Sequence, residues 1–245
     1  FAEGSTGQMP AGEAAFTRIL APIGYEMAAV YPLPALQMTG RAYRHRDMAE
    51  AIPQFFLSEL HVERFDGSFA EAAHRVFDSS RDPIDADSAA LLDMFAASGA
   101  APVDRAAAAL PRIAAAFGRH HDPADPADYE VLRAQSAEAA WIATEGNAFN
   151  HATDRVADVA ALAERLRAEG WPIKDKVEIS ASGRVRQTAF RADTVERDFA
   201  GGIVRNVPGS FYEFISRSVD PATGALDLGF DSGNATGIFA MTRAG

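Results

Sequence analysis

The chain carries six histidines. One of them, His151, stands in an extended stretch, NAFNHATDRV, among small and polar neighbours. A second residue with chemical reach is Glu213, flanked by Phe211, Tyr212, Phe214 and Ile215. A carboxylate inside an aromatic strand must be paired, protonated or metal-bound, because burying it bare is expensive. Glu213 therefore has two readings: an ion pair with an arginine such as Arg186 or Arg217, or a bond to a metal. His151 is likewise either a strand histidine hydrogen-bonded to its neighbour or a ligand. A histidine and a glutamate on different strands of one sheet are two-thirds of a 2-His-1-carboxylate triad. Such a triad leaves three positions of an octahedral iron open for a 2-oxoacid and dioxygen. Imidazole and carboxylate suit iron(II), and iron supplies the one-electron chemistry dioxygen requires.

Four further residues are candidates for contacting a substrate. In QFFLSELHVERF (Gln54–Phe65), Phe56, Leu60 and Val62 take one parity, and Glu59 and His61 share the more polar one. Glu59 and His61 either complete a metal's coordination, orient a ligand from behind, or meet solvent. RVRQTAFRA (Arg184–Ala192) sets Arg186 against Val185, Gln187 and Ala189. If Val185 and Ala189 face a helix layer, Arg186 points to the open side, where it could clamp a carboxylate in a bidentate way. A surface arginine is the alternative, and Gln187 beside it is the other candidate. His120 and His121 precede Asp-Pro and read as exposed, and His45, among Arg41, Arg44 and Arg46, reads as a solvated strand end.

The elements that must position these groups are legible in outline. GEAAFTRILAPI (Gly12–Ile23) has helical spacing and stops at Gly24. Extended candidates follow at Tyr25–Tyr31, Leu36–Tyr43 and Gln54–Phe65. From Ser68 to about Ala143 alanine dominates. The turn signals at Arg81-Asp82-Pro83, Ser98-Gly99 and His121-Asp122-Pro123 divide that stretch into three or four helices. Strands are expected at Ala148–Arg155, Lys174–Ser180, Arg184–Ala192, Gly202–Asn206 and Ser210–Ser218, with a helix at Val159–Glu169. The Gly-rich tail, Asp231–Gly245, ends in a short apolar segment.

An internal echo organises the order. AAFTRILAPIGY (Ala14–Tyr25) aligns with AALAERLRAEGW (Ala160–Trp171), and each is followed by a strand with a glutamate at a comparable place, Glu59 and Glu213. Two β-α-β-β-β modules around a helical insert explain this. The strand that opens the second module carries His151. Its counterpart should precede Gly12, where only the Gly- and Pro-containing segment Phe1–Ala11 stands, so the opening strand is expected to be missing or to lie upstream of Phe1.

Composition bounds the function. Hydrophobic residues make up 48% and charged residues 23% of the chain, an ordinary globular balance. A net charge of -11 argues against nucleic acid or an anionic membrane as the main partner. It leaves room for an anionic small substrate held by a few local cations. With no cysteine, a disulfide framework, a thiolate zinc site, an iron–sulfur cluster and a cysteine nucleophile are excluded together. No apolar run approaches the roughly 20 residues of a spanning helix, and the start lacks signal-peptide character. A cytoplasmic enzyme is the expectation.

The stretch DYEVLRAQSAEAAWIATEGNAFNHATDRV (Asp128–Val156) carries a Ser-x-x-Ala-Ala-Trp run (Ser136–Trp141) and an Asn-His pair (Asn150, His151). With RQTAF (Arg186–Phe190) and QFFLSELHVE (Gln54–Glu63), it resembles the 2-oxoadipate dioxygenase/decarboxylase (hydroxyglutarate synthase) family, in order over nearly the whole chain. The resemblance implies an α+β fold. Two glyoxalase-like (vicinal-oxygen-chelate) modules, residues 1–67 and 144–245, would form one metal-centred sheet, with an Ala-rich helical insert at 68–143. It implies iron(II), with zinc, nickel or manganese as stand-ins in a crystal, and conversion of 2-oxoadipate and dioxygen to 2-hydroxyglutarate and carbon dioxide in lysine catabolism. It assigns His151 and Glu213 to the metal. The family's first histidine and a substrate-gripping arginine fall in a His-x-Ala-x-Arg-Thr stretch that would lie immediately before Phe1. Two rivals stand beside this reading: a glyoxalase-like isomerase or hydrolase using zinc or nickel as Lewis acid, and a metal-free binding relic of the fold.

Overall fold

A computed structural model describes residues 1–180 and 183–230; the expected tail Asp231–Gly245 lies outside the described residues. The chain divides into two compact units. One is Phe1–Ala148 with Asp198–Val204, and the other is Phe149–Arg197 with the residues from Arg205 onward.

In the first unit a short antiparallel pair, β1 (Ser5–Thr6) and β2 (Met9–Pro10), precedes helix α1 (Ala14–Leu20). Three antiparallel strands follow in the order β3 (Tyr25–Leu33), β4 (Met38–His45), β5 (Phe55–Leu60). Helix α1 has adjacent apolar residues that serve two cores. Leu20 packs on Tyr43 and Leu57 of the sheet with Phe16, Tyr25 and Phe55 around them, while Ile19 packs on Leu92 and Ala116 of the helical region. Truncating a side chain buried as fully as Leu20 to alanine costs about 2–5 kcal/mol. Gly24 ends this segment at φ +98, where an added Cβ would fall 2.7 Å from the His45 ring. Only glycine satisfies both constraints.

Between residues 67 and 145 there are five helices, not the three or four expected: α2 (Gly67–Phe77), α3 (Ala86–Ser98), α4 (Val103–Ala115), α5 (Pro126–Gln135) and α6 (Ala137–Glu145). Asp66, Asp85 and Asp125 cap α2, α3 and α5 by accepting from first-turn amides, and Gly99 closes α3 at φ 67. The extra helix comes from Ser136. Its extended backbone (φ -148, ψ 117) breaks the α5 path, and its hydroxyl accepts from Ala139 N to start α6. No Gly or Pro marks that break.

The second unit holds β6 (His151–Arg155), α7 (Val159–Ala168), β7 (Glu178–Ile179), β8 (Val185–Ala189) and β11 (Phe211–Arg217). Their sheet order is β6-β11-β8-β7, with β6 parallel to β11 and the other pairs antiparallel. Asp158 caps α7 through Ala160 N and Ala161 N. Ala163 and Leu166 of α7 join Ile173 against Phe190 and Phe214, which fixes the helix-covered face of this sheet. Between β8 and β11 runs a hairpin, β9 (Thr194–Phe199) and β10 (Ile203–Pro208). Strand β9 was not expected, because TVERDF carries three charges. Among the described residues no helix is long and apolar enough to cross a membrane.

Candidate active site

Strand register brings the two leading candidates onto one face of the second unit's sheet. His151 lies opposite Phe211 and Thr153 opposite Glu213 across the parallel β6–β11 pair. Side chains of registered partners share a face, and so do residues two apart. His151 and Glu213 are thus diagonal neighbours, one strand across and two residues along, about 8 Å between Cα atoms by sheet geometry. Phe214 and Phe190, one position off, point to the α7 side. The alternation in FYEFISR therefore places the carboxylate on the face away from the helix.

Glu213 is 6% exposed. Its Oε2 accepts from Thr153 Oγ1 at 2.9 Å, and Oε1 has no hydrogen-bond partner among the described residues. Nor does any described cation come within ion-pair distance, so neither Arg186 nor Arg217 forms the salt bridge that was one of its two readings. Burial pushes the Glu213 carboxyl up to about 6, against the opposing pull of the Thr153 hydroxyl and the Lys174 ammonium. His151 stacks on Phe211 (5.1 Å between centroids, 10° between planes), and burial pulls its imidazole down to about 4. It is neutral at pH 7. Its Nδ1 lies 3.3 Å from Asn150 Oδ1, and in the tautomer with the proton on Nδ1 it donates to that oxygen. That tautomer leaves the Nε2 lone pair available for a metal.

The rest of this face was only partly anticipated. Val185, Gln187 and Ala189 share it with Glu213, through the pairs Glu213–Ala189 and Ile215–Gln187. The condition set for Arg186, that Val185 and Ala189 face the helix, is therefore not met. Arg186 pairs with Ser216 and Ile179, on the face of Phe214, and is exposed. Gln187 is buried, and its Nε2 donates to Glu178 Oε2 at 3.3 Å. Glu178 in turn accepts from Lys174 Nζ at 2.8 Å. Sequence reasoning expected a strand over Lys174–Ser180 without singling out Lys174 or Glu178, and only Glu178–Ile179 of that stretch forms one.

In the first unit, Glu59 is buried (7% exposed) and ion-paired with Arg41; it also accepts from Glu13 N at 2.6 Å. His61 lies just past β5, between Thr39 Oγ1 (2.7 Å) and Glu63 Oε1 (2.8 Å). Glu13, Glu59, His120 and His121 help line a cavity of about 110 Å³ in this unit. His121 is buried, contrary to its expected exposure. Its ring faces the carbonyl oxygens of Asp122 (2.8 Å) and Ile142 (3.2 Å), and burial lowers its pKa.

No group of three or more His, Asp or Glu side chains suited to a metal occurs among the described residues. The fit to iron(II) therefore rests on the two donors in hand. An imidazole held neutral by burial and a buried carboxylate with no ion-pair partner among the described residues fit the ion in kind. A family model described as 2-oxoadipate dioxygenase/decarboxylase matches residues 5–225. The chain belongs to this family. A 2-oxoadipate dioxygenase/decarboxylase of rice is 30% identical over 139 residues, 47% of this chain and 37% of the rice protein. The match therefore spans well under half the length of that relative. A protein of Ralstonia eutropha JMP134 named for the glyoxalase superfamily is 53% identical with a TM-score of 0.86, covering 92% of this chain and 71% of its own. The fold likeness extends to rice hydroxyglutarate synthase, solved in complex with 2-oxoadipate (20% identity, TM-score 0.72, 94% of this chain and 76% of that one). In this 2-oxoadipate dioxygenase/decarboxylase family member, the Asn150-His151 pair and the RQTAF strand both contribute to the Glu213 sheet.

Proposed function

We propose that this chain forms part of an iron(II)-dependent oxygenase that decarboxylates and hydroxylates a 2-oxoacid, converting 2-oxoadipate to 2-hydroxyglutarate in lysine breakdown in the cytoplasm. The observation that carries the reading is Glu213: a buried carboxylate with no ion-pair partner among the described residues, on the same sheet face as a histidine that burial keeps neutral. In this reading, each unit's helix and antiparallel strands belong to a glyoxalase-type β-α-β-β-β module.

His151, through Nε2, and Glu213, through its carboxylate, would hold the iron, which when bound supplies the one-electron chemistry that lets dioxygen react with a 2-oxoacid. The chain's own contribution is orientation and charge. Asn150 would keep the proton on Nδ1 of His151 by accepting it through Oδ1, and Phe211 holds the ring by stacking. Thr153 fixes one Glu213 oxygen, and the other, with no hydrogen-bond partner among the described residues, would be the one to meet the metal. The buried setting excludes water and keeps Glu213 ready to lose its proton near neutral pH. The balance closes without another reductant: 2-oxoadipate and dioxygen together contain the atoms of 2-hydroxyglutarate and carbon dioxide.

The test is metal content and oxygen uptake with 2-oxoadipate, on the full-length protein and on His151→Ala. Iron-dependent uptake that disappears in the variant is the expected result. Bound metal without uptake would transfer the assignment to a Lewis-acid isomerase or hydrolase, and no metal at all would leave a binding relic.

A further inference from the structure

His61 is committed to two partners that the oxygenase scheme does not use. Its Nδ1 lies 2.8 Å from Glu63 Oε1, and its Nε2 lies 2.7 Å from Thr39 Oγ1. Against the opposing effect of burial, the Glu63 backbone N–H and the His61 ring hold the Glu63 carboxyl below its ordinary value. Glu63 is therefore a carboxylate at neutral pH and can only accept, so the neutral ring carries its proton on Nδ1. Nε2 is then the acceptor, and the Thr39 hydroxyl donates to it. Among the described residues no other histidine is held between a carboxylate and a hydroxyl. The backbone fixes the same residue: His61 N donates to Gln37 O at 2.9 Å. Gln37 is left-handed at φ 53, the only described residue other than glycine with a positive φ. A residue with a side chain keeps that conformation only where its surroundings over-determine it. Glu59, opposite Thr39 in the β4–β5 register, is taken up by Arg41 and the Glu13 amide. Thr39 and His61 both keep part of their surface exposed.

We propose that Thr39 is a nucleophile for acyl transfer from activated esters, with His61 as its general base and Glu63 holding the ring tautomer. A hydroxyl that already donates to an imidazole nitrogen, itself oriented by a carboxylate, is the arrangement that nucleophilic catalysis requires. Thr39 Oγ1 attacks the ester carbonyl carbon while its proton passes to His61 Nε2. The bond to the leaving alcohol's oxygen then breaks, and that oxygen takes the proton from Nε2. Water, activated by the same nitrogen, cleaves the acyl-threonine and restores the hydroxyl. The sum is ester and water to acid and alcohol, with no change of oxidation state. The site lies in the first unit and calls for no metal, so its fate is separate from that of the iron reading. A Thr39–His61 contact that only ties β4 to the end of β5 would leave the hydroxyl unreactive, and that difference is measurable.

The experiment uses the full-length protein and two reagents. Hydrolysis of p-nitrophenyl acetate is followed with and without a chelator, which separates any metal-dependent reaction. A fluorophosphonate, which loses fluoride and leaves a stable phosphonyl group on an activated hydroxyl, is mapped by peptide mass spectrometry. The expected result is chelator-resistant hydrolysis above the buffer rate, with the phosphonyl group on Thr39. Thr39→Val should abolish both, and Thr39→Ser should keep both. His61→Gln should slow hydrolysis by about 100-fold, within the range of general-base catalysis. Glu63→Gln should slow it by about tenfold or more, because the ring tautomer is no longer held. A wild type without phosphonyl on Thr39, or labelling of Thr39 that His61→Gln leaves at the wild-type rate, overturns the proposal. If circular dichroism shows that His61→Gln does not fold, the wild-type map and the Thr39→Ser label still decide.

Discussion

Glu59 and Glu213 occupy the last strands of their two sheets, and both are buried, at 7% and 6% exposure. Their surroundings are opposite. Glu59 meets the Arg41 guanidinium and the Glu13 amide, and Arg41 also reaches Glu13 at 2.9 Å, while the Tyr43 hydroxyl donates to Glu13. Glu213 has one hydroxyl, from Thr153. The register sharpens the contrast. Arg41 lies two residues beyond Thr39, the partner of Glu59. Two residues beyond Ala189, the partner of Glu213, stands Arg191, already past the end of β8 and paired with Asp175 at 3.2 Å. The first sheet thus neutralises its carboxylate by a direct ion pair, and the second leaves its carboxylate without one among the described residues, with only the more distant pull of Lys174 and Arg217. Burial of a glutamate does not by itself single out a candidate metal donor; what sets Glu213 apart from Glu59 is that it has no ion-pair partner among the described residues.

The contrast makes measurable claims. The largest effect is expected from Arg41→Met, which leaves Glu13 and Glu59 without their shared cation and should cost about 3–5 kcal/mol in a denaturant titration of the full-length protein. Adding Glu59→Gln should recover much of that loss. A cost below about 1 kcal/mol would mean that Glu59 is not held by the ion pair.

Glu213→Gln should act in the opposite direction. The carboxyl's folded pKa, about 6, lies above its ordinary value of 4.5, so its contribution to stability is full below about pH 4.5 and is lost as pH rises through about 6. The loss is about 2 kcal/mol at pH 7, since each tenfold change in acidity is worth about 1.4 kcal/mol. The glutamine, which cannot ionise, should therefore stabilise the metal-free protein by about that amount at pH 7 and by little at pH 4. The same variant should fail to retain iron. A destabilised Glu213→Gln at neutral pH would show that the carboxylate has a counterion after all.

Asn150→Ala is expected to have the smallest effect. Releasing the His151 Nδ1 proton should weaken metal binding by about tenfold in a chelator competition. Oxygen uptake at saturating iron should fall less than in His151→Ala. Unchanged metal affinity would remove the amide from the account of the imidazole's orientation.

The sequence was most informative where side-chain parity and chain breaks leave a signal. A carboxylate set among the aromatic residues of FYEFISR drew attention to Glu213, and Gly99 marked a real helix end, whereas α1 stops at Leu20, short of the expected stop at Gly24. It was less informative where the deciding contact is long-range. The Arg41–Glu59 pair joins two strands whose register is not local, and His121 looks like a turn residue until Phe77 and Ile142 close over it. Arg186 was set on the wrong face because the helix side of β8 is fixed by Phe190 and Phe214, not by Val185 and Ala189. Family resemblance added the assignment of iron and substrate, which no spacing in this chain supplies on its own.

The parallel pairing of β6 with β11 also sets the order in which this half of the chain can be built. Among the described strands, β6 has β11 as its sole hydrogen-bonded neighbour, and the Thr153–Glu213 contact closes a separation of 60 residues. At a synthesis rate of roughly 5–20 residues per second, His151 waits about 3–12 s for its partner strand to be made. Helix α7 and the β7–β8 pair can form in that interval, because their contacts are local. The histidine and the glutamate therefore come together only after β11 has been made, and a ribosome-bound chain stopped before Phe211 should hold no metal at the proposed site.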